Sequence, residues 1–108
     1  MSSATVPSAI TALSARAAEL GALLERWANI NSGSSHGAGL TRMAAELQAA
    51  FRAAFPAATF EELSADAPGL NPPGAKALRF RMRPQAAQQV FLCGHYDTVY
   101  AADDAFQS

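Results

Sequence analysis

One short run, Val90-Phe91-Leu92-Cys93, limits what this chain can fold into more than any other stretch. It is apolar without alternation. With Gln89 in front, it reads as a continuous strand from Gln89 to Cys93, buried on both faces. Such a strand belongs in the middle of a sheet with helices on either side. It ends 15 residues before the end of a 108-residue chain, and the polar tail from Ala101 to Ser108 contains no closing element. The expectation is therefore an interrupted α/β domain: an incomplete α/β/α sandwich of two helices and the first strands of a mixed sheet.

The upstream residues supply those helices. Met1 to about Pro7 is a short lead of small and polar residues, expected to be disordered, and the truncated domain is expected over residues 8–108. From Ser8, a suitable N-cap, the residues Ile10, Leu13, Ala17, Leu20, Leu24, Trp27 and Ile30 recur at intervals of three and four. This is one stripe of a long amphipathic helix. Asn31 to Gly39 holds three serines and three glycines and reads as a loop. A second helix follows from about Leu40, with Met43, Leu47, Phe51 and Phe55 on its apolar face, and Pro56 marks its end.

Thr59 to Leu63 is long enough for a short strand. Asp66 to Ala75, with three prolines and two glycines, reads as an irregular connection. Beyond Lys76 the period falls to two. Leu78, Phe80 and Met82 alternate with Arg79, Arg81 and Arg83, which predicts a strand with one buried face and one wet face.

Composition excludes several function classes. Half of the residues are hydrophobic and 16% are charged, as in ordinary globular proteins. A net charge of −1 leaves no electrostatic footprint for nucleic acid or an anionic membrane, so neither is an expected partner. No segment approaches the roughly 20 apolar residues of a membrane span, and no secretory leader is evident. A cytoplasmic location is the default. Cys93 is the single cysteine, which rules out an internal disulfide; within its apolar run it reads as a small buried hydrophobe.

Chemistry concentrates directly after the apolar run. His95 and Asp97 stand two apart, so in extended chain both side chains project to one side. That side lies at the carboxyl end of the expected central strand, where open α/β sheets bind ligands. A histidine that ligates a metal needs its second nitrogen held, and a neighbouring carboxylate serves. His-x-Asp alone leaves two readings open: a metal or catalytic pair, or a surface histidine with a local carboxylate partner.

The wider context resembles a known family. Phe91-Leu92-Cys93-Gly94-His95-Tyr96-Asp97-Thr98-Val99-Tyr100 is similar to the first metal motif of the zinc-dependent aminoacylase and carboxypeptidase G-type family, which includes acetylornithine deacetylase and succinyl-diaminopimelate desuccinylase. Upstream, Leu24 to Leu47 resembles the family's early pattern of helix, Asn-x-x-Ser-Gly loop and second helix. The arginine-rich strand before the motif also fits. The resemblance covers about Ala22 to Phe106. It implies that His95 is a zinc ligand and that Asp97 is the catalytic-site acid orienting it. It further implies a two-zinc hydrolase of amide or peptide bonds, acting on small peptides or N-acyl amino acids. The family's bridging carboxylate, Glu-Glu pair, further acidic ligand and late histidine have no counterpart here, so this chain alone is expected to be inactive. A second function class, a non-catalytic α+β module binding a partner through an open sheet edge, fits the same elements.

The remaining candidates have plainer readings. His36 is expected to be an exposed loop residue. Asp103 and Asp104 lack the setting of a bridging ligand and read as solvated loop. Arg79, Arg81 and Arg83 read as a wet strand face, and Trp27 as core. Tyr100 stands where it might line a site's mouth or simply face solvent. The substrate, the metal's identity and the oligomeric state are not encoded in any motif present.

Overall fold

The computed structural model describes residues 5–65, 67, 69 and 75–105. Three helices and two strands follow in order: α1 (Val6–Ala15), α2 (Ala17–Ala28), α3 (Gly37–Ala54), β1 (Thr59–Ser64) and β2 (Lys76–Arg81). The class is mixed helix and sheet. No helix among the described residues is long and apolar enough to cross a membrane.

The expected first helix is two helices. Arg16 breaks it, with φ −100° and ψ 11°, and closes α1 by donating its backbone N–H to the carbonyls of Leu13 and Ser14. Its guanidinium then turns to Glu19 in the first turn of α2, at 2.8 Å. The start also differs: α1 begins at Val6, with Thr5 as N-cap and Pro7 in the first turn, where a missing N–H costs nothing. Ser8 lies inside the helix, its hydroxyl 3.0 Å from that of Thr5. The last two residues of the expected lead are thus helical, while residues 1–4 lie outside the described set. No residue of α1 or α2 is fully buried, and Leu20 and Leu24 are exposed, so the apolar stripe is used only at its end, at half-buried Trp27 and buried Ile30.

α3 and the hairpin follow the sequence periods closely. β1 and β2 pair antiparallel, with Phe60 opposite Phe80 and Glu61 opposite Arg79. Leu78 and Phe80 are half-buried, while Ala77, Arg79 and Arg81 are exposed, as alternation requires, but β2 ends at Arg81 and Met82, expected on the buried face, is exposed. Phe80 gathers three rings, with centroids at 5.1 Å from Phe51, 5.4 Å from Phe55 and 6.5 Å from Phe60. This cluster fastens the hairpin to the end of α3. On the wet face, Arg79 forms an ion pair with Glu61. Most of the irregular connection expected at Asp66 to Ala75 lies outside the described residues.

The strand expected at Gln89 to Cys93 does not form. Among the described residues its backbone has no ladder partner, and Val90, Phe91 and Leu92 are 84%, 87% and 87% exposed. Cys93 is exposed as well, so it is not a buried hydrophobe. Apolar composition favours burial, but a strand needs neighbours to pair with, and none of the described elements lies beside it. The buried core sits elsewhere and is small: Ile30, Met43 and Ala44, where the end of α2 meets α3.

Candidate metal centre

The loop after α2 and the segment after Gly94 form one unit. Ser32 is the most deeply buried polar residue described, at 1% exposure. Its hydroxyl donates to the Tyr96 carbonyl at 2.8 Å, and its own carbonyl accepts the Thr98 N–H at 2.8 Å. Two residues on, the Ser34 N–H donates to the Thr98 carbonyl at 3.0 Å. Gly33 and Thr98 are thereby joined in a parallel bridge. Asn31 extends the seam by donating from Nδ2 to the Ala101 carbonyl at 2.9 Å.

Two glycines make this approach possible. A Cβ on Gly33 would lie 2.1 Å from the Tyr100 carbonyl oxygen, and one on Gly39 would lie 1.7 Å from the Asn31 carbonyl oxygen. Both contacts are backbone, so no side-chain rotation would relieve them. His36 sits at the N-cap position of α3, half-buried, with its ring against Gly39. It is therefore packed at the helix entry, not an exposed loop residue as expected.

Alternation along the motif sorts its side chains. Tyr96 points to the hairpin and its hydroxyl donates to the Lys76 carbonyl at 2.7 Å. Burial raises its pKa above the ordinary phenol value, and the charges of Asp97 and Glu62 add to the rise. His95 and Asp97 lie together. His95 Nδ1 is 3.0 Å from Asp97 Oδ1 and 3.1 Å from the Asp97 carbonyl. Both partners are acceptors, so Nδ1 is the donor in this pair and Nε2 makes no contact with it. The ring is 83% exposed, which leaves Nε2 open to an incoming ligand.

Asp97 is held in turn. The Ser34 hydroxyl donates to its Oδ2 at 2.6 Å, and also lies 3.1 Å from the Thr98 carbonyl. That donation, with the smaller contribution of His95, holds the Asp97 carboxyl below its ordinary value against a modest desolvation cost. The result is a chain of three side chains, Ser34 to Asp97 to His95. It is not a nucleophilic triad, because the carboxylate stands between serine and histidine and the serine proton is already committed. Its chemistry is that of an imidazole held in one orientation by a carboxylate.

Both motif side chains border a groove of about 870 Å³, whose other walls include Trp27, Met43, Leu47, Phe51 and Leu78. Tyr100 also borders it. Trp27 is half-buried on this wall and not enclosed in the core. Asp103 and Asp104 lie in the following turn, where the Asp104 N–H donates to the Ala101 carbonyl at 3.0 Å.

The donor set suits zinc at one position: an imidazole whose far nitrogen is tied to a carboxylate. Among the described residues, no three or more histidines, cysteines or carboxylates stand close enough to share a metal ion. Sequence reasoning found His95 and Asp97 but missed Ser32 and Ser34. Both lie in the serine- and glycine-rich loop from Asn31 to Gly39, where no local pattern marks contact with residues 63 and 64 positions away. The chain matches no family model, no curated protein and no solved structure.

Proposed function

We propose that this chain supplies one zinc ligand, His95, and its orienting carboxylate, Asp97, to a metal-dependent hydrolase of amide or peptide bonds. The observation that carries the reading is the clamp on the imidazole: Nδ1 lies 3.0 Å from a carboxylate that a serine fixes from its other side, and Nε2 is open. The likeness of Gly94 to Val99 to the zinc aminoacylase and carboxypeptidase G-type motif points the same way. Under this reading the described elements are the opening part of an α/β/α sandwich, with α3 as one covering helix. Small peptides or N-acyl amino acids are the substrate class.

Bound zinc supplies Lewis acidity and an acidified water in such hydrolases. The chain's own contribution is narrower. Asp97 keeps the proton on His95 Nδ1, Ser34 keeps Asp97 ionised, and Ser32 fixes the backbone that carries both. Catalytic zinc takes three protein ligands as a rule. With one imidazole the chain binds zinc weakly and does not turn over substrate alone.

The test is zinc titration followed by calorimetry and by the histidine ring nitrogens in NMR, with His95→Ala as control. Weak, millimolar binding that perturbs His95 Nε2 and vanishes in the variant is the expected result. Perturbation of His36 with His95 untouched would overturn the assignment. Tight stoichiometric binding lost in His95→Ala would overturn the claim that the chain does not complete a site unaided.

A further inference from the structure

The metal reading leaves one contact unused: the tie between the motif and the hairpin. Tyr96 stands between the two site residues and turns the other way, half-buried. Two elements far apart in the chain hold it. Its carbonyl accepts the Ser32 hydroxyl at 2.8 Å, from the loop after α2. Its own hydroxyl donates to the Lys76 carbonyl at 2.7 Å, at the start of β2. That acceptor is itself fixed. Lys76 pairs with Ser64 in the ladder, and one step further the Ala65 N–H donates to the Ala75 carbonyl at 2.9 Å. The hairpin is in turn fastened to α3 through Phe80. Tyr96 is thus held on its main chain from one side and on its side chain from the other.

We propose that Tyr96 is a positioning residue for the His95–Asp97 pair, and that the hairpin acts on the site through the Tyr96 hydroxyl. The proposal rests on the reading of that pair as the site. Side chains two apart share a face only while the residue between them keeps the chain extended. The dihedrals of Tyr96 therefore set whether His95 Nδ1 reaches Asp97 Oδ1, 3.0 Å away. The bond at the Tyr96 carbonyl fixes one point of the residue and leaves rotation about it. The second bond, at the far end of a long rigid side chain, removes that rotation. Its oxygen–oxygen distance is that of a well-formed hydroxyl bond. The His95 ring is 83% exposed, so packing does little to orient it, and the backbone beneath must do so.

The experiment is Tyr96→Phe in the full metal-free chain, a change that keeps the ring and deletes the hydroxyl. Three-bond Hα–Hβ couplings in NMR read the χ1 rotamers of His95 and Asp97. In the wild type each residue should show a single rotamer. In the variant both should move toward the rotamer average, while circular dichroism and amide exchange at Met43, in the buried core, stay unchanged. A tyrosine with a merely structural role would quicken exchange at Met43 and leave the couplings in place. Couplings already averaged in the wild type, couplings unmoved by the substitution, or averaging matched by faster exchange at Met43 would each overturn the proposal. Zinc titration of the wild type reports separately on His95 as a ligand, so either result can fail alone.

Discussion

Ser34 does more for the candidate site than its place in a serine- and glycine-rich loop suggests. Its hydroxyl donates to the carboxylate that orients His95, and that donation is the largest cause of the lowered Asp97 pKa. The sign of the pH effect follows. A carboxyl depressed in the folded state stabilises the fold above the unfolded value of about 3.9, and loses that contribution as pH falls through the lower, folded value. Ser34→Ala removes the donor, so the Asp97 titration midpoint should move up toward the ordinary range, and the part of the acid-dependent stability loss that Asp97 contributes should shrink. Carbon NMR of the Asp97 carboxyl measures this directly; a midpoint unmoved by the substitution would count against the role. That His95 and Asp97 meet was legible in the sequence, because residues two apart in extended chain project to one side, but spacing alone left a metal pair and a surface pair both open. Ser32 and Ser34 were not legible, because their partners lie 64 and 63 residues away and nothing local marks the pairing.

Among the elements, α3 and the hairpin were the most legible, since their apolar positions repeat at the periods their structures demand. Leu78 and Phe80 alternate with arginines, and they are the residues that turn inward. Phe80 holds the hairpin to α3 through Phe51 and Phe55. Phe80→Ala should therefore destabilise the chain by about 2 kcal/mol, less than a fully buried phenylalanine would cost, because the ring is only half covered. Urea unfolding followed by circular dichroism measures it; a loss below a few tenths would mean that the cluster does not fasten the hairpin. The break at Arg16 was not legible. The apolar stripe runs through it without interruption, and only the absence of anything for α1 to cover distinguishes the two halves. The segment from Gln89 to Cys93 misled for a related reason. Its composition states what it would bury against, not whether that neighbour is present.

Over the whole molecule, the radius of gyration is 16.5 Å, whereas a compact chain of this length has about 13 Å. Among the described residues, three buried hydrophobic side chains are a small core for so long a chain.

The seam between Ser32 and Tyr96 has a kinetic consequence. It closes a span of 64 residues, and everything from α3 through the hairpin lies inside that span. Closing so long a loop carries an entropic cost that the intervening elements reduce only once they have folded. The seam therefore zips last on folding and opens first under fluctuation, ahead of the helices it joins. Amide exchange at Thr98 would then run faster than at Met43 or Phe80. The Ser34 hydroxyl bond to Asp97 closes the same long span, so each opening of the seam also frees the carboxylate that orients His95.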